Sequence, residues 1–342
     1  MAKAVTLKTL AKHLNISPSL ASRALNDKYG VSEEMRELVK KTAEELNYIP
    51  RLSPPENKRI VLLILDIALL DIFKENGLYT YILKGLTHRL EQESIRVEPV
   101  FIQNYTLNEL TTLFKSKRPY GIVSLGAIDS SCTQAIISLE TPFAMVDAYH
   151  YEDSPIDLVR ANNFAVGYRS AKHLIELGHR NLAFVGNTCY SICFQNRFDG
   201  FLYYINHCKI KDIQWQCLEE NAPKEHVCSS QLLLKMLTDP KRPSAIVCAN
   251  DNVAVAVYQQ TSKLGIVIPD ELSLVGCDNN MMPNAPDFAT FDLHPFTMGT
   301  STAEYLLKRI ANPKIPAQYL QIDPQFRKGT TTAPPSIVLK SN

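Results

Sequence analysis

The chain has 342 residues, enough for two or three domains at the usual size of about 100–200 residues each. Its 45% hydrophobic, 21% charged and 8% aromatic residues are typical of a packed globular protein and exclude a disordered, collagen-like or coiled-coil chain. The net charge of +1 is unevenly distributed, because residues 1–31 carry five basic and one acidic side chain, which leaves residues 32–342 at −3.

The N-terminal residues and the cysteines indicate a cytoplasmic protein. Residues 1–10 contain no continuous apolar segment of the kind that a secretory signal requires, and the apolar run at 60–73 is too short to cross a membrane. The eight cysteines form no CxxC pair, so we expect them to stay reduced. A zinc site built from His207, Cys208 and Cys217 has no known ligand spacing. We therefore predict neither a metal nor a cofactor.

Three short helices are predicted at the basic N-terminus. The first covers about residues 6–14 with Thr6 as its N-cap, the second follows Ser17 with Pro18 in its first turn, and the third begins at Ser32. One face of each helix is mainly apolar, formed by Leu7, Leu10, Ala11 and Leu14, by Leu20, Ala21, Ala24 and Leu25, and by Met35, Leu38, Val39, Thr42, Ala43 and Leu46. This spacing predicts a compact three-helix bundle.

The first two helices and the turn between them fit a helix-turn-helix. The turn is short, alanines stand where the helices would cross, and the region is positively charged, so the second helix could enter the major groove of DNA. The alternative from the pattern alone is a three-helix bundle that binds another protein.

From residue 60 onward, apolar strands alternate with helical segments. Strands are predicted at 60–65, 97–102, 121–125, 143–146, 182–186, 245–249 and 272–276, and helices at 80–93, 107–116, 163–177, 195–207, 229–238, 252–264 and 297–311. This alternation predicts parallel sheets. About 280 residues exceed one doubly wound sheet, so we expect two lobes with a ligand cleft at the carboxyl ends of their strands.

Four carboxylates stand at predicted strand ends, namely Asp66, Asp147, Asp251 and Asp278. They could perform acid–base chemistry, but the same groups bind the hydroxyls of a polyol. The sequence contains no GxGxxG, P-loop, GxSxG or HExxH motif. We therefore expect a ligand-binding protein and not an enzyme.

Residues 6–26 read TLKTLAKHLNISPSLASRALN, and residues 45–50 read ELNYIP. Both segments resemble the N-terminal domain of the LacI/GalR transcription regulators. Asn15 replaces the glycine of the family's turn, which is tolerable because asparagine can adopt a positive φ. The resemblance implies a DNA-binding domain at 1–50.

The resemblance also implies roles for individual side chains of this domain. Pro18, Ser19 and Arg23 would face base edges, and Arg23 could donate two hydrogen bonds to guanine. The remaining predicted contacts would bind the phosphate backbone without reading sequence, and they are Thr6, Lys8, Ser17, Ser22 and Asn26.

The linker departs from the family pattern. Residues 51–59 read RLSPPENKR, which is short and contains a proline pair that would break the family's hinge helix. We expect an extended Pro-rich spacer, with Leu52 as the residue that could still reach the minor groove.

The resemblance continues through residues 60–335. It is carried by NGLY at 76–79, PFAMVD at 142–147, LIELGHR at 174–180, RFDGF at 197–201, AND at 249–251 and PDELSLVGCD at 269–278. It implies a two-lobed α/β domain like that of periplasmic binding proteins, which would bind an effector and mediate dimerisation. The implied effector-binding residues are Tyr79, Asp147, Arg197, Asn250, Asp251 and Asp278.

The sequence thus predicts a dimeric regulator, with a repressor favoured, that binds double-stranded operator DNA under the control of a small effector. A sugar is the favoured effector, and a purine corepressor is the alternative within the family. The apolar segment 281–286 is a candidate for the subunit contact. A solute-binding receptor is the contrasting hypothesis, and it predicts no salt-dependent retention on heparin.

Overall fold

A computed structural model describes residues 7–25, 31–46, 59–65, 77–149, 156–189, 191–218, 231–280 and 285–336. The chain divides into two compact units, Met1–Lys58 and Arg59–Asn342. Residues 51–58 of the predicted linker at 51–59 and residues 281–284 of the apolar segment at 281–286 lie outside the described residues, as do Asp66, Thr6 and Asn26.

The first unit contains helices α1 (Leu7–His13), α2 (Pro18–Leu25) and α3 (Glu33–Glu45). Helix α2 begins as predicted, because the hydroxyl of Ser17 accepts a hydrogen bond from the backbone N–H of Leu20 at 3.1 Å. Asn15 has a φ of 55°, so it occupies the left-handed region that the turn between α1 and α2 requires.

A small apolar core joins the three helices of this unit. Leu10, Ala24 and Val39, one from each helix, are fully buried in it. One residue of the predicted apolar face of α3 does not join this core, since Leu38 is 49% exposed. Thr42 lies one turn after Leu38, and its hydroxyl donates a hydrogen bond to the Leu38 carbonyl oxygen within α3.

The second unit has two lobes, as the alternation of strands and helices predicts. Lobe 1 contains β1 (Ile60–Leu65), α4 (Leu78–Glu91), β2 (Arg96–Phe101), α5 (Leu107–Lys117), β3 (Gly121–Leu125), α6 (Ser130–Ile137), β4 (Phe143–Val146), β5 (Asp157–Ala161), α11 (Pro295–Ala311) and β11 (Tyr319–Ile322). Its six strands form one parallel sheet in the order β11-β5-β4-β3-β1-β2. Helix α11 packs against α4 and against β3, β4 and β5.

Lobe 2 contains α7 (Asn163–Glu176), β6 (Asn181–Val185), α8 (Ile192–His207), β7 (Gln214–Leu218), α9 (Gln231–Thr238), β8 (Ala245–Cys248), α10 (Asp251–Lys263) and β9 (Ser273–Val275). Its four strands form a second parallel sheet in the order β7-β6-β8-β9. An antiparallel pair, β10 (Thr290–Asp292) and β12 (Gln325–Arg327), lies where the chain passes between the lobes.

The chain crosses between the lobes three times, after β5, after β10 and after β11. Because the sheets are parallel, every loop that follows a strand lies at the carboxyl edge of its sheet. The crossings therefore bring the carboxyl edges of both sheets to one cleft.

One pair of helices in each lobe packs closely through glycines. In lobe 1, a Cβ on Gly85 of α4 would lie 2.1 Å from the Phe296 carbonyl oxygen of α11. In lobe 2, a Cβ on Gly200 of α8 would lie 2.0 Å from the Phe164 carbonyl oxygen of α7. Neither helix pair could pack at this distance with a larger residue, so Gly85 sets the spacing of α4 and α11, and Gly200 sets the spacing of α7 and α8.

The predicted strands and helices all occur among the described residues, with ends that shift by a few positions. The sequence did not predict α6, β5, β7 or the three short strands β10, β11 and β12. Strand β7 reads QWQCL and is polar, so it gives no apolar signal, and Trp215 within it is 42% exposed. No helix in the described ranges is both long and apolar enough to cross a membrane.

Candidate functional site

Helix α2 presents a polar surface to solvent. Ser17, Pro18, Ser19 and Arg23 are exposed, whereas Ala21 and Ala24 on its other face are fully buried. Ser22 is half-buried. Of the other predicted DNA contacts, Lys8 belongs to α1 but its side chain is not described, and Thr6 and Asn26 lie outside the described residues. The exposed side chains stand on the helix that a helix-turn-helix inserts into the major groove.

The six predicted cleft residues stand on loops and helices at the carboxyl edges of both sheets. Lobe 1 contributes Tyr79, in the first turn of α4, and Asp147, immediately after β4. Lobe 2 contributes the other four, which are Arg197 on α8, Asn250 and Asp251 at the start of α10, and Asp278 after β9.

Arg197 is the centre of a buried polar cluster. Its Nε donates to Asn163 Oδ1 at 2.9 Å, and one Nη donates to the Ala249 carbonyl. The other Nη donates to Asp278 Oδ1 at 3.3 Å, and these two side chains are only 5% and 9% exposed. The guanidinium therefore joins α7, the end of β8 and the loop after β9 into one rigid wall of the cleft.

The lobe 1 side of the cluster is formed by Tyr79 and Asp147. The Tyr79 hydroxyl donates a hydrogen bond to Asp147, and burial, followed by the Asp147 charge, raises the pKa of the phenol well above its usual value. Burial also raises the pKa of Asp147, although the charge of Arg197 opposes this shift. The Cys193 thiol of lobe 2 lies 3.9 Å from Asp147 Oδ1. Asp147 therefore meets lobe 2 directly across the cleft.

Asn250 and Asp251 are occupied by contacts within lobe 2. The Asn250 side chain caps α10 by accepting from the Val253 N–H at 3.0 Å. Asp251 accepts from the Thr290 hydroxyl and from the Asn280 N–H, each at 2.8 Å. Both side chains support the shape of the loops around Asp278, and this role leaves the NH2 group of Asn250 and the remaining lone pairs of both side chains for a ligand contact.

The cluster contains more negative than positive groups. Asp147, Asp251 and Asp278 are all buried near Arg197. Burial and the neighbouring Asp278 raise the pKa of Asp251 to about 8, so this carboxyl carries a proton at neutral pH. Burial also raises the pKa of Asp278, and the charge of Arg197 opposes this shift as it does for Asp147, so three acidic side chains share one guanidinium.

A cavity of about 390 Å³ lies beside Asp278, within the usual range of about 300–1,000 Å³ for small-ligand sites. Both lobes line it, with Leu78 and Tyr81 from α4, Asp278, Asn279 and Asn280 from the loop after β9, and Asp292, His294, Pro295, Phe296 and Thr297 around the start of α11. Asp278 is the predicted cleft residue that borders both this cavity and the Arg197 cluster.

The sequence reading did not identify several residues of this site. Asn163, which orients Arg197, begins the predicted helix at 163–177 but was assigned no role in the site. Cys193 and Cys277 are buried in the cluster and gave no signal beyond their apolar surroundings. Tyr81 and Phe296 follow helical spacing on α4 and α11, so nothing local distinguishes them from packing residues.

Two family models match the chain. One describes bacterial regulatory proteins of the lacI family and covers residues 6–51. The other describes a periplasmic binding protein-like domain and covers residues 171–332. The first match contains α1, α2 and α3, and the second contains Arg197, Asp251 and Asp278 of the cleft.

Curated relatives match over nearly the full length. The NTD biosynthesis operon regulator NtdR of Bacillus subtilis is 27% identical, over 90% of this chain and 93% of its own. The ribose operon repressor of Haemophilus influenzae is 24% identical, over 93% and 96%. The HTH-type transcriptional repressor PurR of Escherichia coli is 25% identical, over 94% and 95%.

Solved structures share the fold. A complex of the transcriptional regulator CelR with cellobiose has a TM-score of 0.68 at 18% identity and covers 95% of this chain and 99% of its own. The lac repressor dimer bound to operator and the anti-inducer ONPF has a TM-score of 0.67 at 21% identity and covers 97% and 100%. The family models and the curated relatives agree with the helix-turn-helix and the two-lobed unit, and they show that the chain is similar to regulators of the lacI family along nearly its whole length.

Proposed function

We propose that this protein is a dimeric transcription repressor whose affinity for operator DNA is controlled by a neutral carbohydrate bound between the lobes of its second unit. The observation that carries this proposal is the buried Arg197–Asp278 pair at the edge of an open cavity, in a chain whose N-terminal helices form a helix-turn-helix. We further propose that it acts in the cytoplasm and catalyses no reaction.

The exposed face of α2 supports sequence-specific DNA binding. Arg23 can donate two hydrogen bonds to a guanine, and such a pair contributes about 1–3 kcal/mol of discrimination between bases. Lys8 would instead contact phosphate and add affinity that falls with salt but reads no sequence.

This difference gives a test of the DNA-binding face. An operator is first selected from a random duplex pool with the intact protein. Arg23→Lys keeps the charge but loses the two-pronged geometry, so specificity at one base pair should relax about 5- to 150-fold while the salt dependence stays nearly unchanged. Lys8→Ala is the control, and it should weaken binding to all duplexes equally. Equal loss on all duplexes from Arg23→Lys would contradict the assignment of Arg23 to a base edge.

The charge of the cleft supports a neutral effector. Three acidic side chains, Asp147, Asp251 and Asp278, surround the single guanidinium of Arg197. A phosphate placed about 4 Å from one of these carboxylates would cost roughly 4 kcal/mol at an effective dielectric constant of 20. The hydroxyls of a sugar can donate to the carboxylates and accept from the amides, so a neutral polyol suits the cluster better than a sugar phosphate.

The effector is found by thermal shift of the full chain against neutral mono- and disaccharides, sugar phosphates and purines. A ligand at 100 times its Kd should add about 2.7 kcal/mol to stability. Asp278→Asn should abolish the shift from the binding sugar. Arg309→Met is the matched control, because Arg309 forms a buried ion pair with Asp157 that belongs to lobe 1. Stabilisation by sugar phosphates alone would contradict the charge argument.

A purine corepressor is the second candidate, favoured by the similarity to a repressor named PurR. A purine would be recognised by amides and an aromatic face, which Asn280 and Tyr81 could provide. The two candidates also predict opposite responses in a DNA-binding assay. An inducing sugar should release operator DNA, whereas a corepressor should strengthen its binding, and each ligand's own affinity must change reciprocally when DNA is bound.

A further inference from the structure

We propose that the amino edge of the lobe 1 sheet is a second DNA-binding surface, which contacts the phosphate backbone of the duplex held by the helix-turn-helix. We call this surface the basic edge, and it consists of Arg59, Arg96, Lys115 and Arg118. The inference rests on the proposed DNA-binding function and extends it, because it assigns direct DNA contacts to the unit that binds the effector.

Adjacent strands bring the arginines of the basic edge together. Strands β2, β1 and β3 are neighbours in the sheet, and Ile60 of β1 is in register with Arg96 of β2. The Arg96 N–H donates to the Arg59 carbonyl oxygen at 2.9 Å, so these two arginines lie side by side where their strands begin. Because neighbouring strands are about 4.8 Å apart, the first residues of all three strands fall within about 10 Å.

The end of α5 adds two further cations to this edge. Lys115 lies in the last turn of the helix, and Arg118 is its C-cap with a φ of 44°. Tyr120 precedes β3 directly, and the centre of its ring is 5.4 Å from the Arg59 guanidinium carbon. Arg118 is therefore two residues from a ring that Arg59 contacts, and the four cations share one surface.

The cations of the basic edge are available to an anion. Arg96 and Arg118 are exposed, and neither forms an ion pair or a side-chain hydrogen bond with a described residue. The carboxylate of Glu98, on β2, is already paired with Lys117. Two other carboxylates follow α4 and α6 to the same edge of the sheet and offset part of the charge, and they are Glu91 and Glu140. Positive charges therefore still exceed negative ones.

Helix dipoles do not account for this excess of positive charge. Lys115 and Arg118 lie at the C-terminus of α5, where a cation also stabilises the helix dipole. Arg59 and Arg96 stand where β1 and β2 begin, and strands have only small dipoles. Residues 32–342 carry a net charge of −3, so the basic edge runs against the charge of the surrounding chain. A local positive surface of this kind attracts the phosphates of DNA.

The basic edge is also where the linker joins the second unit. Arg59 is the last residue of the predicted linker and the first residue of the second unit. A segment of twelve residues, such as 47–58, cannot span more than about 43 Å, so a duplex bound by the first unit remains tethered near this edge. The proline pair at 54–55 disfavours a hinge helix, and phosphate contacts from the basic edge would supply affinity in its place.

The test measures how DNA binding by the full chain depends on salt. The probes are the operator duplex selected with the intact protein and a random duplex of equal length. The double variant Arg96→Gln, Arg118→Gln removes two cations. Loss of two phosphate contacts should reduce the steepness of log Kd against log salt by about 1.8 and weaken binding at 0.1 M salt by up to about 60-fold, by the same factor on both duplexes.

Two controls separate a phosphate contact from other effects. The double variant Arg96→Lys, Arg118→Lys keeps both charges and should retain the salt dependence of the parent. The double variant Lys209→Gln, Lys211→Gln removes the same charge from exposed positions of lobe 2 and should leave the slope unchanged. All four substituted residues are exposed, so the variants should fold, and the melting temperature without DNA checks this.

The outcomes distinguish the two levels of the proposal. If the parent protein binds no duplex at any salt concentration, the DNA-binding function fails and the basic edge fails with it. If the parent binds but the arginine-to-glutamine variant has the slope of the lobe 2 control, the basic edge is wrong while the helix-turn-helix stands. A loss of affinity for the operator alone, with none for the random duplex, would also contradict a contact with phosphate.

Discussion

Replacement of Arg197 by methionine tests whether the cleft depends on this one cation for its stability. Methionine retains an unbranched apolar stem but removes the guanidinium. The change breaks the hydrogen bonds to Asn163 at 2.9 Å and to Asp278 at 3.3 Å, together with the bond to the Ala249 carbonyl. It also leaves Asp147 and Asp278 buried without a counter-charge.

The expected loss of stability follows from this burial. Removal of one partner from a buried ion pair costs about 3–5 kcal/mol, because the remaining charge is neither solvated nor paired. Asp278 is 9% exposed in its side chain and Asp147 is 9% exposed overall, so water cannot replace the guanidinium without rearrangement. For a unit of this size the loss corresponds to a fall in melting temperature on the order of 10 °C.

The measurement is differential scanning calorimetry of the ligand-free full chain, with Asp278→Asn tested alone and together with Arg197→Met. Neutralisation of Asp278 should partly rescue Arg197→Met, with a coupling of about 0.5–3 kcal/mol. Arg309→Met is the control, since Arg309 binds Asp157 through two hydrogen bonds of 2.9 Å in lobe 1 and should show no such rescue. A melting temperature of Arg197→Met within 2 °C of the parent, or equal effects of Asp278→Asn in both arginine backgrounds, would refute the reasoning.

Three further predictions concern packing, the turn and pH. Gly200→Ala should cost about 1–3 kcal/mol, because its Cβ would lie 2.0 Å from the Phe164 carbonyl oxygen; an unchanged melting temperature would contradict the close packing of α7 and α8. Asn15→Gly should preserve DNA binding, whereas Asn15→Val should weaken it by destabilising a turn whose φ is 55°, as a gel-shift titration would show. Burial and Asp278 raise the pKa of Asp251 to about 8, so the folded protein holds a proton that the unfolded chain releases near pH 4. This contribution to stability is complete below about pH 4 and is lost as the pH rises to about 8, so Asp251→Asn should flatten the fall in melting temperature between pH 5.5 and 8.5; an unchanged slope would assign that fall to other groups.

Much of the fold could be predicted because most of its strands and helices have a recognisable pattern of apolar residues within their own segment. Buried parallel strands such as β1 and β3 read as uninterrupted apolar runs, and amphipathic helices repeat every three or four residues. Strand β5 was not predicted, because Asp157 interrupts its apolar pattern although this charged residue is only 1% exposed. Arg309, 152 residues later in the chain, pairs with this carboxylate, and the backbone N–H of Gln318 also donates to it, so its burial depends on distant residues.

Some residues of the candidate site could also be predicted from the sequence, and others could not. Asp147 and Asp278 could be identified because each follows an apolar strand, and carboxyl ends of parallel strands meet at one cleft. The hydrogen bonds that Asn250 and Asp251 make within the protein could not be predicted, since their partners depend on how β9, β10 and α10 pack together. Tyr81 and Phe296 also gave no signal, because each is an ordinary member of a helical pattern until α4 and α11 come together.

The sequence by itself determined the three-helix N-terminal unit, the alternation of strands and helices, and the polar residues that close each strand, because these properties depend on neighbours within a few turns of the chain. Tertiary structure alone decided which side chains meet in the cleft. Arg197 contacts residues 34, 52 and 81 positions away, and the cavity beside Asp278 forms from segments about 200 residues apart. Contacts over such distances depend on the three crossings between the lobes, and no local pattern of residues encodes them.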